Sequence, residues 1–100
     1  MVFSWLNATK AKQFGISLAD FYLERSKVDA QAKSSKFVEK KQRELLGKVL
    51  QQVVQFKASE KLNVYKKAQL GNVFKWRLLE AGHDRLHADE LTRWLMHNLK

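Results

Sequence analysis

Apolar residues recur at helical spacing along most of this chain. The first set begins after Thr9, and its members lie three, four or seven residues apart: Ala11, Phe14, Leu18, Phe21, Tyr22 and Val28. Such spacing places side chains on one face of a helix and predicts a helix over about residues 9–28. We expect Asn7 or Thr9 to cap it, because a short side-chain oxygen accepts a hydrogen bond from a first-turn amide.

A second apolar stripe predicts a helix over about residues 36–57. The connection before it lacks large apolar residues and ends in two hydroxyls, at Ser34 and Ser35. Opposite charges four residues apart, as in Glu39 with Arg43 and Glu44 with Lys48, are expected to support the solvent side. The stripe consists of Val38, Leu45, Leu46, Val49, Leu50, Val53 and Phe56.

A third helix is predicted over about residues 60–81, capped by Ser59 and ended by Gly82. Its apolar residues lie on more than one side, so we expect it to be the central helix, packed between neighbours. Tyr65 and Trp76 are therefore expected in the core. Gly71 and Asn72 are a possible kink or break.

The last helix, over about residues 88–99, has a clear start signal. Leu86 and Leu91 are placed as a hydrophobic staple around a cap at His87, with Glu90 at the third helical position. Asp89 is expected to pair with Arg93. The expected buried face consists of Leu91, Trp94, Leu95 and Leu99. Together, the four segments predict an all-α fold, one domain over residues 1–100, arranged as an irregular or up-down bundle.

Composition supports this prediction and excludes several classes of protein. The 100 residues include four Gly, no Pro and no Cys. Disulfide scaffolds, cysteine zinc sites and cysteine nucleophiles are excluded, since each requires a thiol. No apolar run approaches the roughly 20 residues that cross a bilayer, so no transmembrane segment is predicted.

The N-terminal segment is apolar but short. Val2, Phe3, Trp5 and Leu6 precede the polar Asn7, and no basic region comes before them. This pattern does not match a secretory signal, and we expect a cytoplasmic protein. The segment could pack against the bundle, self-associate or lie at a membrane surface. We expect it to pack against the bundle.

The net charge of +9 is concentrated in the middle of the chain: residues 34–81 hold 11 of the 19 basic residues but only 4 of the 10 acidic ones. A field of this sign attracts polyanions. One group of basic residues has spacings of three, four and three, which would place it on one strip of an extended second helix. The other is interleaved with aromatic residues, a mixture that suits stacked bases as well as phosphates. The candidate polyanion-binding residues are Lys33, Lys36, Lys40, Arg43, Lys66, Lys67, Lys75 and Arg77.

Signals for catalysis or metal binding are weak. No nucleophile elbow, P-loop or dinucleotide motif is present. Asp20 and Glu24 would share one helix face, where a solvated surface is the expected role. His83, Asp84 and His87 could bind zinc only on a continuous helix, and Gly82 argues against one, so we expect a polar loop with a cap. We therefore predict no enzyme activity, no metal and no cofactor.

Two functions remain from different classes. The first is a non-catalytic binding protein that engages nucleic acid or another polyanion through the basic middle section. The alternative is a helical adaptor or small subunit that binds another protein, an acidic one, through exposed aromatic surface. Homo-oligomerisation is open under either hypothesis.

Overall fold

The helices form where the apolar spacing predicts them. The computed structural model describes residues 7–29 and 35–100, with side chains described over 7–26 and 40–100. This part of the chain has no strand and contains α1 (Thr9–Asp29), α2 (Ser35–Ser59), α3 (Val64–Glu80) and α4 (Arg85–Asn98). The all-α prediction is confirmed.

Contacts between the helices give their directions. The rings of Phe14 and Phe56 stack at a centroid distance of 4.1 Å, so the start of α1 meets the end of α2. Near the other end of α1, Asp20 accepts a hydrogen bond from Arg77 Nε at 2.7 Å. Because Gly15 lies against Leu70 in the first half of α3, α1 and α3 run parallel.

Helix α4 runs antiparallel to α3. Early in α4, Asp89 forms an ion pair of 2.7 Å with Lys75 in the second half of α3. Near its end, Met96 lies against Gly71 in the middle of α3. The bundle is therefore up-down-up-down, which agrees with one of the two predicted arrangements.

The helices do not pack equally. Helix α1 packs against α2 and α3, and α4 packs against α3 and α2. In the described part of the chain, α2 and α3 share no substantial interface, so they lie diagonally opposite each other. The most extensive interface joins α1 and α3, which means that α3 shares the centre of the bundle with α1.

Gly15 explains the closeness of α1 and α3. A Cβ atom at this position would lie 2.6 Å from the carbonyl oxygen of Leu70 and 2.6 Å from Cγ2 of Val73. Since backbone atoms cannot turn aside, only a residue without a side chain fits there.

The buried core draws on all four helices. Leu91, Leu95 and Leu99 are buried as predicted, and Trp94 is half-buried against the core. The largest fully buried side chains are Tyr22, Phe74, Leu18, Leu70, Leu78, Leu95, Leu99, Val49 and Val53. Among the described residues, no helix combines the length and apolar character needed to cross a membrane.

The predicted start of the third helix is wrong. Ser59 is the last residue of α2, and its hydroxyl donates to the carbonyl of Phe56. The N-cap of α3 is Asn63, whose Oδ1 accepts from the amide of Lys66 at 2.8 Å. An asparagine side chain caps as well as serine does, so the cap residue type alone did not decide between the two positions. The predicted stop at Gly82 is confirmed, with a φ of 92°.

The predicted cap of the fourth helix is also wrong. The N-cap is Asp84, whose carboxylate accepts from the amide of His87, and α4 begins at Arg85. A carboxylate both accepts this bond and interacts favourably with the positive end of the helix dipole. Leu86 remains 66% exposed, so the predicted staple is absent.

Tyr65 and Trp76 are not core residues. Trp76 is 56% exposed and Tyr65 is 40% exposed. The buried residues of α3, which include Leu70, Phe74 and Leu78, lie on the opposite side of the helix. Neighbouring helices cover only that side, although the sequence is apolar on both.

Two of the predicted ion pairs within helices have other partners. Glu44 pairs with Lys41 rather than with Lys48. Asp89 pairs with Lys75 of α3 rather than with Arg93.

Several predictions lie outside the described residues. They concern Lys33, the side chain of Lys36, the pair that Glu39 would form, and the N-terminal Val2, Phe3, Trp5 and Leu6.

Candidate functional site

The outward side of α2 carries basic residues that form no ion pair with a described carboxylate. Lys40, Arg43 and Lys48 are exposed, and none forms an ion pair with a described residue. Lys40 and Arg43 face away from the buried Leu45 and Val49, and Lys48 lies at the flank of this outward side, one residue before Val49. We call these three residues the α2 basic face. Lys48 was not among the predicted site residues, because it was expected to pair with Glu44, which pairs with Lys41 instead.

The predicted basic residues in the second half of α3, in contrast, form ion pairs. Lys75 pairs with Asp89, and the Lys75 ammonium holds the pKa of that carboxyl below its ordinary value. Arg77 is hydrogen-bonded to Asp20 and lies 3.8 Å from Glu80, and the bond to Asp20 raises the pKa of the Arg77 guanidinium. Both cations therefore already have a carboxylate beside them.

Lys66 and Lys67 lie in the first turn of α3, at the opposite end of the bundle from Arg77. Lys66 Nζ donates to the carbonyl of Lys61 at 3.4 Å. Lys67 lines a shallow groove of about 420 Å³ together with Lys57, Lys61 and other residues. The structure thus divides the predicted basic residues among separate places: the side of α2, the start of α3 and the paired second half of α3.

Lys57, at the same end of the bundle as Lys67, binds the last residues of the chain. Its Nζ donates to the carbonyls of Asn98 and Lys100, at 3.0 and 2.9 Å. A cation at this position satisfies carbonyls at the end of α4 and suits the negative end of the helix dipole. Lys57 is therefore engaged in structure, whereas Lys61 is exposed and forms no ion pair with a described residue.

A second candidate site is a polar cluster at the end of the bundle opposite to Lys57. The Tyr22 hydroxyl lies 3.0 Å from His87 Nε2 and accepts a hydrogen bond from Gln42 Nε2 at 2.9 Å. The His83 and His87 rings lie side by side, with centroids 5.4 Å apart. We call Tyr22, Gln42, His83 and His87 the histidine cluster; it joins α1, α2 and the α3–α4 connection.

The tight connection between α3 and α4 positions both histidines. Ala81 ends α3, and Gly82 adopts the left-handed conformation, so that the amide of His83 donates to the carbonyl of Leu78. These bonds form a Schellman motif. His87 then follows in the first turn of α4, which brings its ring next to that of His83.

The surroundings of His83 favour the neutral form of its imidazole. Burial lowers the pKa of His83, and the neighbouring His87 lowers it further. Because the Tyr22 oxygen accepts from Gln42, its own proton can be donated to His87 Nε2.

The histidine cluster borders an open cleft of about 1340 Å³. Ser26, which lines the cleft, donates its hydroxyl to the carbonyl of Leu23, so no base activates it. No three His, Asp or Glu side chains among the described residues are grouped to hold a metal ion. Asp84, in the predicted H-D-x-x-H pattern, caps α4. The carboxylates along the cleft are Asp20, Glu24, Glu80 and Asp84.

Sequence reasoning missed the pairing of Tyr22 with Gln42 and His87. A signal for it was present: Gln42 lies three residues before Leu45 and seven before Val49, and so occupies an inward position of α2. A buried tyrosine requires a partner for its hydroxyl, and a polar residue at an inward position can supply one.

The chain matches no protein-family model, no curated protein and no solved structure.

Proposed function

We propose that this chain is a non-catalytic binding protein that engages nucleic acid through the α2 basic face. One observation carries the proposal: Lys40, Arg43 and Lys48 are exposed and have no ion-pair partner in the described part of the chain. The nearby Glu44 is already paired with Lys41. Among the described residues, no carboxylate competes with an external anion for these cations.

The spacing of the α2 basic face suits a phosphate backbone. Lys40 and Lys48 are eight residues apart, or about 12 Å along a helix axis. A duplex carries one phosphate for about every 3.4 Å of each strand, so the face spans a few phosphates. Each phosphate that a Lys or Arg neutralises releases condensed counterions, which favours binding without regard to base sequence.

The other predicted basic residues contribute unequally to this proposal. Lys66 and Lys67 extend the positive field at the start of α3, near the exposed Lys61. Lys75 and Arg77 contribute less, because Asp89 and Asp20 compete for them. We thus place the main phosphate contacts on α2.

The test is the salt dependence of binding to a DNA duplex of mixed sequence. Affinity of the parent chain should fall steeply with salt, and K40Q/R43Q should reduce the slope of log affinity against log salt by about 1 to 2. The control K12Q/R93Q removes the same charge from exposed positions on α1 and α4. It should change the slope by less than about 0.5.

Two results would contradict the proposal. Equal slope changes in both double variants would mean that total charge, and not the α2 basic face, governs binding. Undetectable binding of the parent at low salt would remove nucleic acid as the partner.

A second candidate function is protein–protein contact through aromatic surface. The exposure of Tyr65 and Trp76 on α3 favours it, because large aromatic side chains are typical anchors of interfaces. Substitution of these two residues by Ala should remove such contact and leave the fold intact.

A further inference from the structure

The outward side of α3 is not covered by any of the other described helices, and it has an aromatic residue near each end. Tyr65 and Trp76 are eleven residues apart, three helical turns or about 16 Å. Between them lie Ala68, Gln69 and Asn72, which are small or uncharged. We call these five residues the α3 outer face. Because α2 and α3 are diagonally opposed, this face points away from the α2 basic face.

The order of residues on this face is self-complementary. If two α3 helices lie antiparallel with their midpoints between Leu70 and Gly71, Tyr65 of one copy meets Trp76 of the other. Gln69 then meets Asn72, and two amides can exchange hydrogen bonds. Ala68 lets the helix axes approach near the middle. A two-fold interface requires this kind of self-matching surface.

In the same antiparallel arrangement, opposite charges near the ends of the face come together. Lys61 precedes α3, is exposed, and stays near the first turn because Lys66 Nζ bonds to its carbonyl. Glu80 is the last residue of α3, is exposed, and lies 3.8 Å from Arg77 of its own helix, which leaves the outer side of its carboxylate open to a second cation. The two residues are equally far in sequence from the same midpoint, so Lys61 of each copy comes close to Glu80 of the other. Antiparallel helix dipoles add to this attraction.

The two cations in the second half of α3 add little repulsion to this arrangement. Lys75 and Arg77 are paired with carboxylates of their own chain. The α2 basic faces of the two copies would lie on the two outer sides of the pair, far from each other.

We propose that two copies of this chain associate through their α3 outer faces, with the two α3 helices antiparallel. The partner is thus a second copy of the chain. The proposal rests on the second candidate function, protein contact through Tyr65 and Trp76, and is independent of nucleic-acid binding by α2.

Sedimentation equilibrium of the purified, nuclease-treated chain tests the association. We expect a reversible dimer, and W76A should lower the association constant at least about tenfold, as the loss of an aromatic anchor does. V54A is the matched control, because Val54 on α2 is exposed to the same extent, 56%, as Trp76. It should leave the association constant unchanged. A chain that remains monomeric, or a dimer that W76A does not weaken, would overturn the proposal.

Charge reversal tests the antiparallel register. E80K should weaken the dimer several-fold, and K61E added to it should restore the association. A parallel pair would show no such restoration, since Lys61 would then face Lys61, and that result would overturn the register.

Cross-linking tests the face directly. The natural chain has no cysteine, so N72C introduces a single thiol next to the two-fold axis. It should form a disulfide-linked dimer under mild oxidation, whereas G47C on the exposed side of α2 should not. Equal cross-linking of both variants would overturn the proposal.

The same N72C variant separates failure of the dimer from failure of the second candidate function. For this test, the thiol of N72C carries a benzophenone label, and the labelled chain is cross-linked in a cell extract. A monomeric chain that cross-links only to other polypeptides would overturn self-association but keep protein contact at this face. A chain that cross-links to nothing would overturn both.

Discussion

Helices α2 and α3 carry the same kinds of basic residue, but these residues differ in whether a neighbouring helix supplies an ion-pair partner. Lys40 and Arg43 on α2 have no ion-pair partner in the described part of the chain. Lys75 on α3 is paired with a carboxylate of α4, and Arg77 with one of α1. The carboxylates of α1 and α4 reach these two cations of α3, whereas no described carboxylate reaches Lys40 or Arg43. The availability of a cation for an external phosphate thus depends on the packing of the bundle and not on the number of basic residues in a helix.

The two sides of α3 should differ most in their effect on stability. Phe74 is 1% exposed and Trp76, two residues later, is 56% exposed. F74A should lower the free energy of unfolding by about 3–5 kcal/mol, because it leaves a cavity in the core. W76A should lower it by less than about 1 kcal/mol, since little buried surface is lost. Urea denaturation of both variants measures the difference, and similar costs would show that Trp76 is packed.

Two glycine-to-alanine substitutions compare how closely the α1–α3 interface and the exposed side of α2 are packed. G15A would force a Cβ atom against the Leu70 carbonyl and should cost about 1–3 kcal/mol. G47A on α2 meets no atom within 4 Å and should stabilise the chain by about 0.5–1 kcal/mol, because alanine favours the helix. Thermal denaturation of the two variants is the measurement. Stabilisation by G15A would mean that α1 and α3 are less closely packed.

The histidine cluster should make stability depend slightly on pH. Because the folded pKa of His83 is lowered, the unfolded chain binds this proton more readily. The stability due to neutral His83 is complete above its ordinary pKa of 6.5 and is lost as the pH falls below that value through the lower folded pKa. Since solvent reaches this ring, the change should stay well below about 1 kcal/mol.

H83Q is the variant for this effect, and H97Q, at an exposed histidine late in α4, is its control. Urea denaturation between about pH 5 and pH 8 should show a smaller loss of stability on acidification in H83Q than in the parent and in H97Q. The same acid-induced loss in all three chains would assign it to other groups.

The sequence predicted the helices well because apolar spacing reflects the buried side of each helix, and the absence of proline leaves no residue that would break the backbone hydrogen bonds. It predicted the caps less well. Ser59 and Asn63 are both good caps, and only the length of α2 decides between them. Asp84 caps α4 while His87 turns towards Tyr22, a residue 65 positions away that local pattern does not reveal.

The candidate sites were predictable to different degrees. The basic positions on α2 followed from spacing, since their environment is solvent. The ion pairing of Lys75 and Arg77 did not follow from spacing, because their partners Asp89 and Asp20 come from other helices. Exposure of Trp76 likewise depends on which side of α3 its neighbours cover.

The most direct test of this account compares two double variants that lose the same charge, K40Q/R43Q on α2 and K75Q/R77Q on α3. Fluorescence anisotropy with a labelled duplex over a range of salt concentrations would give the slope of log affinity against log salt for each, after circular dichroism shows both to be folded. We expect K40Q/R43Q to reduce the slope by about 1 to 2 and K75Q/R77Q to reduce it by less than half as much. An equal or larger reduction in K75Q/R77Q would contradict the claim that packing against carboxylates withdraws the α3 cations from binding.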